Sequence, residues 1–256
     1  MQNLVKNNRI YLCKQKFFTN FAVDLKSMDD FFSRSEALLG TEAMEALRTK
    51  RVILFGVGGV GSWAAEALVR TGLTHLTIVD GDTVQASNIN RQLPATRATM
   101  GMPKVEALRE RLLTLNPEAE ILTRHEMVNA DWLAANGLEN YDYVIDAIDS
   151  VADKTDLLLY ASRVKGLKIF SSMGAALRFD PTQVTTGELM SIKGDALAKA
   201  VRERMKRLDR HPSKKIRCVY STEQAQRCET RGSLMQVTAV FGCTLASLII
   251  KDLLTQ

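Results

Sequence analysis

Six consecutive residues, Gly56-Val57-Gly58-Gly59-Val60-Gly61, follow a short apolar run at 51–55 and open an Ala-, Leu- and Trp-containing segment at 62–70 that suits a buried helix. Between a strand and a helix, such a loop lets backbone amides and the positive helix end hold phosphate groups without side-chain obstruction. Asp80 stands 24 residues beyond Gly56 and ends a second strand-like run at 75–79. A carboxylate there can accept hydrogen bonds from ribose hydroxyls. Gly56, Gly58, Gly59, Gly61 and Asp80 therefore predict an adenosine nucleotide, and by themselves leave open whether it is NAD or ATP.

The stretch that follows narrows the choice. It reads Asp80-Gly81-Asp82-Thr83-Val84-Gln85-Ala86-Ser87-Asn88-Ile89-Asn90-Arg91-Gln92, with Gly101-Met102-Pro103-Lys104 shortly after. Polar loops of this length are usually functional. Arg91 and Lys104 are placed where they could meet a triphosphate. Hydride transfer has no need of these cations, whereas nucleotidyl transfer must stabilise charge while the α-phosphate is attacked and pyrophosphate departs.

The elements that must position these residues follow from hydrophobic periodicity. Strands are expected at 51–55, 75–79, 119–123, 141–145 and 168–171. Helices are expected at 62–70, at 103–115 with Pro103 in its first position, and around 130–136 and 150–165. The alternation predicts an α/β fold, Rossmann-like and doubly wound, with a mostly parallel sheet. Beyond Gly174 the pattern changes: 175–189 holds Pro181 and β-branched residues, 196–208 reads as helix and 216–221 as strand, so antiparallel additions are expected in the C-terminal part. Residues 1–27 lack periodicity and are read as an extension outside the fold, with one domain over 28–256.

With 256 residues, 46% of them apolar and 25% charged, the chain has the composition of an ordinary globular domain. Its four cysteines, Cys13, Cys218, Cys228 and Cys243, form no Cys-x-x-Cys pair, which argues against a disulfide framework and a Cys-rich zinc site. The apolar run at 237–250 is shorter than the ~20 residues of a spanning helix and is read as a core helix. No signal-peptide pattern is evident at the N-terminus. A cytoplasmic protein is expected, with peripheral membrane association left open. Net charge is +5, yet 199–217 alone holds nine basic and two acidic residues. Such a concentration can neutralise RNA phosphates, or can be a charged surface helix. DNA is not expected as a partner.

From about residue 28 to the C-terminus the chain resembles the ThiF/MoeB/HesA superfamily, the bacterial relatives of ubiquitin-activating enzymes. Gly56 to Gly61, Asp80, Asn88, Arg91, Gln92, Lys104 and the Asp146-Ala147-Ile148-Asp149 stretch match its pattern in order and spacing. The resemblance implies a domain that binds ATP and adenylylates a carboxylate, with Asp80 and Asp82 near the ribose and metal region, and Asn88, Arg91, Gln92 and Lys104 facing the phosphates. It implies Mg²⁺ on Asp149. A carboxylate just beyond a parallel strand suits that role, since Mg²⁺ takes one or two carboxylates plus phosphate oxygens; Asp146 is left as an alternative cap for the turn. Phe32-Ser33-Arg34-Ser35-Glu36 resembles the segment whose arginine reaches the ATP of a neighbouring subunit, which implies Arg34 as that finger and a homodimer.

Within the superfamily, Ser62-Trp63-Ala64-Ala65-Glu66, Val144 to Ser150 and Ser171-Ser172-Met173-Gly174-Ala175 are most similar to the TcdA group, also called CsdL. That likeness implies ATP-dependent cyclisation of threonylcarbamoyladenosine in tRNA through an acyl-adenylate. The alternative is an adenylyltransferase that activates the C-terminal Gly-Gly of a ubiquitin-like sulfur carrier, and assistance by a sulfur-transfer protein is left open. A nucleotide-binding module without catalysis is disfavoured by the joint presence of Arg91, Lys104 and Asp149. Cys218 and Cys228 are read as structural rather than nucleophilic.

Overall fold

Val52, Ile53, Leu54 and Phe55 are all almost wholly buried, so successive side chains on both faces of this strand are covered. Such a strand belongs in the middle of a parallel sheet with helices on either side. The computed structural model describes residues 31–230 and 232–255; the extension read at 1–27 lies outside them. Seven strands form one sheet: β1 Arg51–Phe55, β2 His75–Val79, β3 Glu120–Arg124, β4 Tyr143–Asp146, β5 Lys168–Ser172, β6 Val184–Glu188 and β7 Arg217–Ser221. Their order is β3-β2-β1-β4-β5-β7-β6.

The chain winds outward from β1 through β2 to β3, then returns to place β4 on the other side of β1. That reversal opens a crevice at the carboxyl ends of β1 and β4. Leu54 pairs in register with Ile78 and Ile145, which brings the ends of β1, β2 and β4 level with one another.

The C-terminal part holds the expected antiparallel addition, as a single pair. Among the described strands β6 alone is antiparallel, paired with β7 through Thr186↔Val219; β7 itself runs parallel to β5, with Ser171 beside Cys218. A helix at Ala196–Arg207 carries the chain back between β6 and β7. Pro181 lies in the 3₁₀ turn Pro181–Gln183 that precedes β6, where its missing amide costs no ladder bond.

Eight helices are described: α1 Ser33–Leu39, α2 Thr41–Thr49, α3 Gly61–Thr71, α4 Lys104–Leu115, α5 Ala130–Asn136, α6 Val151–Arg163, α7 Ala196–Arg207 and α8 Met235–Leu253. Leu68 of α3, Leu108 of α4 and Phe241 of α8 belong to the core on one face. Leu133 of α5, Leu158 of α6 and Val201 of α7 belong to the core on the other. Pro103 stands one residue ahead of α4, and its carbonyl accepts from Glu106 and Ala107 at 3.1 Å each.

By length and composition α8 could cross a membrane. Its placement is that of a core helix: Gly242 packs so tightly on α3 that a Cβ there would lie 2.5 Å from Val60 O. Tyr143 and Lys168 both donate to Asp252 near its C-terminal end.

Candidate active site

The glycine loop is built by two close approaches. Gly56 has φ +88°, and a Cβ there would lie 2.7 Å from Ala147 O at the end of β4. At Gly61 a Cβ would lie 1.8 Å from Gly56 O, so α3 can begin only where it does because both positions lack a side chain. Asp80 locks the loop to β2: its Oδ2 accepts from Val57 N at 2.6 Å and its Oδ1 from Asp82 N at 2.8 Å. Both oxygens of the carboxylate expected at a ribose are thus already engaged by backbone amides.

Residues 80–103 fold back on themselves rather than projecting as a free loop. Val84 N donates to Met102 O, Gly101 N to Val84 O and Lys104 N to Asp82 O. This return brings Lys104 Nζ to 2.7 Å from Asp82 Oδ2, although 22 residues separate them. The Lys104 side chain is 7% exposed and that of Asp82 60%. Asp82 is the partner open to water, so it is the one an incoming phosphate can replace at the ammonium.

A cavity of about 310 Å³ opens at this point, within the range of small-ligand sites. Gly56, Gly58, Gly59, Asp80 and Asp82 line it on one side, and Arg91, Gln92, Lys104 and Asp149 also reach it. Arg91 is held by Ser87 O and Asn90 Oδ1, each 2.9 Å from Nη1. Gln92 is 8% exposed and its Oε1 has no hydrogen-bond partner among the described residues. Asp149 is exposed in the turn after β4.

Three of the expected residues stand elsewhere. Asn88 is buried outside the lining, where its Oδ1 accepts from Gln85 N at 3.0 Å and caps the 3₁₀ turn Ala86–Asn88. Gly61 acts through helix packing. Arg34 is exposed on α1, away from the cavity lining.

Several lining residues had no signal in the sequence. Met127 and Val128 come from the segment after β3, Leu197 from α7 and Thr238 from α8. They belong to no motif, and only the closing of the fold brings them to the crevice. Asp146, considered as a turn cap, does accept from Ile148 N at 3.1 Å, and it is also fully buried against Lys154.

Burial pushes the Cys218 thiol up to about 12, with the nearby Asp146 and Asp195 carboxylates adding to the effect against the Lys154 ammonium. A thiol so shifted is a poor nucleophile at neutral pH. Cys228 is exposed in the segment after β7.

In the basic segment the side chains divide into two sets. Lys199, Lys206, Arg207, Arg210, Lys215 and Arg217 are exposed. Arg202 instead donates to Leu189 O at 2.9 Å, Arg204 lies 3.6 Å from Asp156, and Lys214 Nζ bonds Val164 O at 2.9 Å and also Leu167 O. Burial lowers the Lys214 pKa.

The residues present fit ATP: a glycine cradle, two cations and an exposed carboxylate line one cavity. Comparison with known proteins agrees with that geometry. The tRNA threonylcarbamoyladenosine dehydratase of Escherichia coli K12 is 36% identical over 213 residues, covering 81% of this chain and 79% of that protein. A crystal structure of the E. coli tRNA N6-threonylcarbamoyladenosine dehydratase, TcdA, in complex with ATP matches with a TM-score of 0.84 at 35% identity, over 89% of this chain and 95% of that one. The molybdopterin-synthase adenylyltransferase of E. coli K12 is 38% identical over 116 residues, 45% of this chain and 46% of that protein. The ThiF family pattern matches residues 32–256, from the helix that bears Arg34 to the C-terminus, and the chain belongs to the ThiF family.

Proposed function

We propose that this chain is an ATP-dependent tRNA threonylcarbamoyladenosine dehydratase acting in the cytoplasm, with residues 28–256 as its adenylylating domain. The observation that carries this reading is a juxtaposition. The cavity is walled in part by Leu197, and α7, which starts one residue before it, carries Lys199, Lys206 and Arg207 exposed along its length. A helix of this length spans about 18 Å, enough to follow several RNA phosphates. The likeness to a dehydratase over most of both chains supports the same substrate.

In this reading the glycine loop holds the triphosphate, and Lys104 leaves Asp82 to meet it beside Arg91. The threonyl carboxylate of the modified adenosine attacks the α-phosphorus, and pyrophosphate leaves. A nitrogen or oxygen of the same modification then attacks the acyl carbon and expels AMP. Being already tethered, it gains the large advantage of an intramolecular reaction. The net change is loss of water from the nucleoside. Asp149, with Asp153 in the same wall, would hold Mg²⁺, which supplies positive charge to the departing pyrophosphate.

The reading includes a homodimer. No residue of α1 is buried, Phe31 is 55% and Leu38 84% exposed, and a second copy would cover them and bring Arg34 to its neighbour's phosphates. Arg34→Ala is expected to inactivate the enzyme, and mixing it with Lys104→Ala subunits to restore activity, since one site of each mixed dimer then holds both cations. Absence of recovery would contradict a finger acting in trans.

The functional test is AMP formation with tRNA carrying the threonylcarbamoyl group, with tRNA lacking it, and with a carrier protein ending in Gly-Gly. Only the first is expected to support turnover. AMP release driven by the carrier would make the chain a sulfur-carrier activator instead, and would bring a sulfur-transfer partner with it.

A further inference from the structure

Behind the glycine loop two walls of the crevice meet on a charge pair that solvent does not reach. Lys154 on α6 and Asp146 at the end of β4 both have wholly buried side chains, with Nζ 2.5 Å from Asp146 Oδ2. The same ammonium donates to Ser171 Oγ at 3.3 Å and to Ser172 O at 3.0 Å. Ser171 Oγ donates in turn to Asp146 Oδ2 at 2.5 Å, while Asp146 Oδ1 accepts from Ile148 N at 3.1 Å. One carboxylate and one ammonium thus hold the last residue of β4, the turn that follows it and the last two residues of β5.

Stability does not account for such a pair. Taking two charges out of water costs about as much as their attraction returns, and apolar residues of similar volume are often as stable in their place. Its contacts give a different account. Ile148 and Asp149 form one wall of the cavity, and Ser172 and Met173 another. Ala147, between Asp146 and Ile148, is also the residue whose carbonyl abuts Gly56. A shift of the turn would therefore move Asp149 and press on the glycine loop together.

We propose that Lys154 and Asp146 are positioning residues: the pair sets the spacing between the turn that carries Asp149 and the end of β5, and so aims Asp149 at the triphosphate. The proposal rests on the functional reading above. It assigns Lys154 no contact with substrate. A misplacement of about 1 Å at a reacting centre can cost roughly 100-fold in rate, which sets the expected size of the effect.

The test is the double variant Asp146→Asn/Lys154→Met, which removes both charges while nearly keeping both volumes, in the full-length protein. It is expected to melt within a few degrees of the wild type and to bind a non-hydrolysable ATP analogue within about threefold of it. Its kcat for AMP formation on modified tRNA is expected to fall roughly 100-fold, with the KM for ATP little changed. Ser171→Ala keeps the ion pair, removes the two hydrogen bonds that Ser171 Oγ makes with it, and is expected to lower kcat about tenfold with the same split. It decides the matter if the double variant does not fold.

Amide hydrogen exchange reads the same claim without a substrate. Residues 147–150 and 172–174 are expected to exchange faster in the variants while β1 and β2 remain protected. Wild-type kcat in a folded variant, a loss confined to ATP affinity, or unchanged exchange in those two segments would overturn the proposal. A wild-type protein that makes no AMP with modified tRNA would instead sink the functional reading, and exchange would still judge the positioning role.

Discussion

Charge is used in opposite ways at the crevice and along α7. In and behind the crevice the cations are few and held in place: Lys104 pairs with Asp82, Lys154 with Asp146, and half-buried Arg91 is fixed by Ser87 O and Asn90 Oδ1. On α7 and the turn after it, Lys206, Arg207 and Arg210 stand exposed and without a described acid partner. Sheltered charges act through geometry, so each should matter greatly and be insensitive to salt. Exposed charges act through their summed field, so each should matter modestly and be screened. A substitution that changes both properties alike would break the contrast.

The largest effect is expected from Lys104→Ala and from Asp149→Ala. Each removes a charge from the triphosphate's surroundings and should lower kcat by about 100- to 1,000-fold while the melting temperature holds. Wild-type rates in either folded variant would remove the crevice from the account. Next comes the exposed set, Lys206→Gln/Arg207→Gln/Arg210→Gln. It should weaken tRNA binding and reduce the slope of log affinity against log salt by up to about 2.7, with ATP binding unchanged.

Arg202 and Lys214 sharpen the same comparison, since their side chains serve backbone carbonyls. Replacing Lys214 by Met should cost roughly 1–3 kcal/mol of stability and leave the salt slope near the wild-type value. Denaturant melts beside filter-binding titrations separate the two outcomes.

A smaller effect concerns Glu66, whose side chain is 6% exposed between Arg70 of α3 and Arg111 of α4. Burial raises its pKa, but hydrogen bonds from Arg111 and Arg70 outweigh that and hold it below the usual 4.5. A folded-state pKa below the unfolded one adds stability that is present above about pH 4.5 and is lost as pH falls through the folded value. Glu66→Gln should therefore lower stability at pH 7 and flatten its acid dependence, which melts between pH 7 and 3 would show. The smallest is chemical: at pH 8 a thiol reagent should label Cys228 and spare Cys218 until the protein unfolds.

The same contrast governs what could be read from the residues. Strands at 51–55 and 75–79 coincide with β1 and β2 because glycines and Asp80 end them within one residue. Arg91, Gln92 and Lys104, expected near the phosphates from the family resemblance, do line one cavity with the glycine loop, whereas Asn88 of the same stretch does not. The direction of β7 could not be read, since Arg217–Ser221 has the same burial pattern whichever way it runs. Met127 and Thr238 reach the cavity only through the closing of the sheet. A count of basic residues cannot tell Arg207, which faces solvent, from Lys214, whose ammonium caps carbonyls, because the sequence does not show where each stem points.

The central claim is that the crevice and the basic face serve one reaction on tRNA. Its most direct test is mass spectrometry of nucleosides from threonylcarbamoylated tRNA after incubation with the purified protein and ATP. The account predicts that threonylcarbamoyladenosine is replaced by a species lighter by one water, with one AMP formed for each nucleoside converted. Unchanged nucleoside mass while AMP accumulates would contradict it.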